Sequence, residues 1–212
     1  DRYGLNGTEA GDSAALIDAL AVSTEADCPI MLPGGRIYWD GTAITNDRVR
    51  LYGSGTPRVN AGKTALVGGS IIEGPLICTG KYIDLRNFGV DLGTDGSGDD
   101  ADGIKCTAAT YNTGEHIHTE NLVTLCKNKT SAFHSMLFEG YQKHTGGNLV
   151  GIHGYFGCVI TNREVQLTTI HTDTNNETGL YLKSDTSFGT NSNIQIDSVR
   201  TEGADEFGVR VQ

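Results

Sequence analysis

GDSAALIDALAVSTEADCPIMLPGGRIYW, residues 11–39, is the stretch whose reading decides the fold. It opens as a capped amphipathic helix. Asp12 stands as an N-cap before Ser13, and Ala15, Leu16, Ala19 and Leu20 recur at helical spacing to form one apolar stripe. The stripe fades at Ser23-Thr24. Cys28-Pro29-Ile30-Met31-Leu32 then reads as a buried strand, Pro33-Gly34-Gly35 as a turn, and Arg36-Ile37-Tyr38-Trp39 as a second strand closed by Asp40-Gly41. Almost everything beyond is short strand and Gly/Asn/Asp turn, so the architecture must be one that uses a helix once.

A loose repeat runs through the later chain. Asp102-Gly103-Ile104-Lys105-Cys106, Thr178-Gly179-Leu180-Tyr181-Leu182 and Phe207-Gly208-Val209-Arg210-Val211 share one form: a residue, a glycine, and an apolar/polar/apolar triplet. Residues 135–138 and 157–160 are weaker versions. Aligning Ile104, Leu137, Val159, Leu180 and Val209 gives a period of roughly 20 to 33 residues, with the length differences confined to turns. A second set of short strands precedes these, at residues 82–85, 116–118 and 194–197.

Strand repeats of this length predict an all-β fold, a β-helix solenoid, with the opening segment as an N-terminal capping α-helix over the exposed apolar end. The expected division is 1–45 for the cap and first rung and 46–212 for the helix proper. No second cap is legible near Val211-Gln212, so further rungs or a partner chain are expected there. An antiparallel sandwich is the structural alternative.

The formal net charge of −10 argues against nucleic acid and against an anionic membrane surface, both of which select basic faces. No apolar run is long enough to span a bilayer. Five cysteines without CxxC spacing read as small buried groups. Sequons at Asn6, Asn128 and Asn176 carry meaning only in a eukaryotic secretory pathway. P-loop, GxSxG and zincin motifs are missing, and no cofactor is expected.

Gly11, Asp12, Ala15, Ala19, Pro33, Gly35 and Tyr38 fill or nearly fill a "G-D-D-T-x-A-h-x-x-A" helix followed by an "h-h-x-h-P-x-G-x-Y" strand. The chain thereby resembles the pectate-lyase-like right-handed parallel β-helices, and among them most the tailspikes and tail fibres of bacteriophages. That resemblance implies that the coil is a right-handed parallel β-helix, and with it a homotrimer in a virion tail, in company with other tail proteins, meeting bacterial surface polysaccharide and in many members cutting it. A secreted polysaccharide lyase or glycoside hydrolase of the same fold is one alternative. A carbohydrate-binding or adhesin solenoid without catalysis is another.

The residues name candidates for each chemistry. Paired carboxylates serve glycosidic cleavage, which draws attention to Asp102, Glu139 and the acidic loop holding Asp95, Asp99 and Asp100. Asp102-Gly103-Ile104 is similar to part of the polygalacturonase signature. The equivalent rung position, however, then holds Ser135, Gly157, Thr178 and Phe207, so that enzyme's full catalytic set is missing. His116 and His118 fall on one face of a strand and could ligate a metal near a trimer axis. Tyr181, Tyr155 and Trp39 are candidate rings for stacking sugars, with Tyr181 expected outward at the middle of its triplet.

Overall fold

A computed structural model of the chain describes residues 7–92, 102–108, 114–126, 133–175, 177–183 and 193–212. One helix, α1 (Glu9–Ala26), precedes strands β1 (Ile30–Leu32), β2 (Gly35–Tyr38) and β3 (Arg48–Gly53). A short hairpin, β4 (Arg58–Val59) and β5 (Leu66–Val67), leads to β6 (Ser70–Glu73) and β7 (Leu76–Cys78). Long and short strands then alternate: β8 (Tyr82–Asp91), β9 (Ile104–Thr107), β10 (Gly114–Leu125), β11 (His134–Glu139), β12 (Tyr141–Ile152), β13 (Phe156–Thr161), β14 (Glu164–Asp173), β15 (Thr178–Leu182), β16 (Asn193–Glu202) and β17 (Phe207–Val211).

The long strands stack side by side in one sheet, in the order β1-β3-β8-β10-β12-β14-β16, and the short ones in another, β7-β9-β11-β13-β15-β17. Every named pairing in these two sheets is parallel; among the described residues only β4 and β5 pair antiparallel. This excludes an antiparallel sandwich and is compatible with a β-helix.

The large sheet has two faces joined at a bend. β3 pairs with the first half of β8, while β6, itself paired to β2, joins the second half through Ser70↔Phe88. From β8 onward the halves are one strand, bent where Asn87, Asn121 and Asn148 take left-handed backbone angles (φ 60°, 53° and 54°). Asparagine tolerates that conformation better than most residues. Here the amides also bond one another: Asn121 Nδ2 donates to Asn87 Oδ1, and Asn148 Nδ2 to Asn121 Oδ1, both at 2.8 Å.

α1 caps the first strands as its apolar stripe predicts: Leu16 and Leu20 belong to the same buried cluster as Leu51, Phe88, Met136 and Leu180. Its start is earlier than the sequence suggests. Thr8 is the N-cap, its Oγ1 accepting from the Gly11 amide at 3.3 Å. Asp12 instead ties the helix to the sheet, accepting from the Gly7 and Tyr38 amides at 3.0 and 3.1 Å, while Ser13 Oγ accepts from the Asp40 amide at 3.1 Å.

The repeated glycines have a packing reason. A Cβ on Gly103 would lie 2.2 Å from Thr124 Cγ2, and one on Gly179 2.5 Å from Thr172 Oγ1, so the short strands approach the long ones only where no side chain stands. Four cysteines are buried, as expected, but Cys28 is exposed. Met31, read as part of a buried strand, is 64% exposed because it occupies the outward position of β1. The sequon asparagines Asn6, Asn128 and Asn176 and the loop of Asp95, Asp99 and Asp100 lie outside the described residues. No helix is long and apolar enough to cross a membrane, among the described residues.

Candidate functional site

The first half of the large sheet turns an open face outward. Register sets its side chains in columns that step about 4.8 Å from strand to strand. One runs Arg48, Tyr82, His116, Lys143; the next runs Arg50, Asp84, His118, Thr145. Between them lies a groove of about 350 Å³, continued across Tyr82 and His116 by a second of about 400 Å³ that reaches Lys143 and Glu164.

Polar contacts hold this face in order. Asp27, the left-handed C-cap of α1, pairs with Arg48 at 3.1 Å and also with Arg50. Asp84 takes Arg86 Nε and Nη2 at 2.6 and 2.8 Å and the Tyr52 hydroxyl at 2.7 Å. Arg48 and Arg86 lie over the rings of Tyr82 and Tyr52, at 5.6 and 5.1 Å from the ring centres. His116 Nε2 and His118 Nδ1 both meet Thr145 Oγ1, at 2.8 and 3.0 Å. A hydroxyl has one proton, so it donates to one imidazole and accepts from the other. Burial, then the neighbouring His118 and Lys143, lower the His116 pKa. His118 Nε2 has no hydrogen-bond partner and sits 3.5 Å from Glu120 Oε2.

His144 belongs to the same strands but points inward, and is fully buried. Asn162 Nδ2 faces its Nδ1 at 3.3 Å, leaving the proton on Nε2, 2.8 Å from Thr119 Oγ1. Burial pushes its pKa down to about 3.

A second polar group lies where the short strands begin. Here the structure corrects the repeat alignment: Ile104 pairs with Met136, then Cys158, Leu180 and Val209, so Leu137 and Val159 are one residue out of register and face outward. A one-residue slip exchanges the faces of a strand. Ser135-Met136-Leu137-Phe138 is buried on both faces, so alternation could not reveal the slip. The corrected column holds Asp102, His134, Phe156, Thr178 and Phe207 rather than Ser135 and Gly157.

Asp102 therefore stands beside His134. Its Oδ1 accepts from the His134 amide at 2.9 Å and faces Nδ1 at 2.7 Å, and Lys105 Nζ lies 3.4 Å from Oδ2. Burial alone would raise the Asp102 pKa; the bonds and charge of His134, with Lys105, lower it on balance. The His134 ring stacks on Phe156 at 5.2 Å and 18°. Phe156 meets Tyr155 edge-on at 5.0 Å and Tyr181 at 5.9 Å.

The remaining candidates separate. Tyr181 does point outward, yet it is only 9% exposed: it packs with Leu137 and Val159, lies 4.9 Å beneath Arg210, and its hydroxyl bonds Gln212. Tyr155 is half-buried. Trp39 is 2% exposed within the main core, so it has no face to offer a sugar. Glu139 ends β11, five residues beyond the Asp102–His134 position, about 16 Å along the strand; paired glycosidase carboxylates stand closer. His116 and His118 share one face as expected, and both turn to Thr145. Among the described residues, the set of three side chains able to close on one ion lies elsewhere, at His171, Asp173 and Glu202.

Sequence reasoning missed Arg48, Tyr52, Asp84 and Arg86. Their signal is the alternation in RVRLY, YIDLR and HIHTE, residues 48–52, 82–86 and 116–120, which fall in register. Compared with family models, curated proteins and solved structures, the chain finds no match.

Proposed function

We propose that the two parallel sheets are walls of one right-handed β-helix of the pectate-lyase-like kind, and that the chain is a bacteriophage tailspike or tail-fibre solenoid. It works as a trimer with other tail proteins and meets bacterial surface polysaccharide through the groove on the first half of the large sheet. The observation that carries this reading is the column geometry around Tyr82, His116 and His118. A linear polymer laid across the strands meets donors, acceptors and rings at a constant step, which suits a chain of repeating sugars. Titration with capsular and O-chain polysaccharides, together with a light-scattering mass, tests it. Saturable binding by a trimer supports the reading; a monomer that binds none of them overturns it.

A depolymerase is the second reading, favoured by the Asp102–His134 pair. Asp102 fixes the imidazole by Nδ1 and leaves Nε2 as the proton acceptor, the arrangement a general base requires. Release of reducing ends or unsaturated uronates, lost in His134→Ala, would support it. Binding without any turnover leaves recognition alone.

A further inference from the structure

On the second half of the large sheet, β14 and β16 bring together three donors that neither reading uses. His171 and Asp173 lie two residues apart on β14, hence on one face, and register places Glu202 of β16 beside Asp173. One ligand atom from each falls within 4.8 Å of the others. Cations already attend the carboxylates: Lys63 Nζ lies 2.6 Å from Asp173 Oδ2, and Arg200 pairs with Glu202. Those ion pairs account for the acids but not for the imidazole. His171 Nε2 is shut off from solvent, has no hydrogen-bond partner, and points at Glu202 Oε1 from 3.7 Å.

We propose that His171, Asp173 and Glu202 form a binding site for a divalent transition metal of the zinc or nickel type, with the Lys63 ammonium as the resident cation that the metal displaces. One imidazole and two carboxylates suit borderline metals, whereas Ca²⁺ prefers a larger all-oxygen shell. The donors need to close by only about 1 Å to meet a common ion at ordinary bond lengths. Both displaced cations can leave: the Lys63 side chain is 40% exposed and that of Arg200 70%. Lys63 sits in the turn of the β4–β5 hairpin, whose Asn60 side chain accepts from the Thr64 amide at 2.7 Å, so the exchange occurs at the hairpin tip.

Calorimetric titration of the untagged chain with Zn²⁺ alone, and separately with Ca²⁺, tests the site. One equivalent of Zn²⁺ binds, and Ca²⁺ on its own gives no saturable binding. Glu202→Gln and His171→Ala each weaken that equivalent about tenfold or more. Lys63→Met, which removes the competing ammonium, tightens it. Melting curves confirm that each variant is folded. The assignment is overturned if wild type takes up no Zn²⁺, if the equivalent survives unchanged in His171→Ala, or if Lys63→Met binds no tighter.

Discussion

The two halves of the long strands are built from one backbone ladder and carry opposite outer faces. Before the bend at Asn87, Asn121 and Asn148, the outward positions hold Tyr82, Asp84, His116, His118 and Thr145, and a groove lies over them. After it they hold Val123, Leu125 and Ile152 where the β4–β5 hairpin covers them with Val59 and Leu66, and past that cover the same columns turn polar as His171, Asp173 and Glu202. The hairpin is pinned by Asp91, whose Oδ2 takes both the Leu66 amide at 3.2 Å and Arg36 Nη2 at 3.1 Å. What decides a face is therefore its cover. A covered half selects apolar residues and adds stability; an open half keeps polar columns and is free to meet a ligand.

Leu125→Ala tests the covered half. The side chain is fully buried between hairpin and sheet, so its truncation should cost about 2–5 kcal/mol in urea unfolding. A cost below 1 kcal/mol would mean the hairpin does not seal that face.

His144 sharpens the contrast by pH. The folded pKa of His144 lies near 3, well below its ordinary 6.5, so the unfolded chain binds the proton first. Stability is then full above pH 6.5 and falls as pH drops from 6.5 toward 3, by about 1.4 kcal/mol per unit. Unfolding curves at pH 7 and pH 5 check this, with His144→Gln flattening the slope. An unchanged slope in that variant would assign the acid loss to other groups.

Asn121→Ala probes the bend between the halves. It removes both amide bonds of the ladder and places alanine in a left-handed conformation, for an expected loss of about 1–3 kcal/mol. Asn121→Gly, which keeps the conformation without the bonds, should recover part of the loss. The smallest stability effect belongs to the open half. Tyr82→Ala and His118→Ala should each shift unfolding by no more than about 1 kcal/mol while weakening polysaccharide binding about tenfold.

Much of this organisation is written plainly in the chain. The stripe of Leu16 and Leu20 announces a helix with one buried face, and Ile83 and Ile117 alternate with polar neighbours as half-buried strands do. The repeated glycines mark where short strands cross beneath threonines. The Asp102–His134 pair stayed hidden because residues 135–138 are buried on both faces, which leaves register undetermined by a residue. Trp39 is open to two readings for a related reason: an aromatic side chain at the end of a strand suits a binding ring or core equally, and its burial in the main cluster makes it core.

Hydroxyl-radical footprinting with and without bound polysaccharide reports on both faces and on the Asp102–His134 corner at once. The account predicts protection of Tyr82, His116 and His118, with Tyr155, Phe156 and Phe207 oxidised as before. Protection at Tyr155 and Phe156, with Tyr82 unchanged, would contradict it and move recognition to the short-strand sheet.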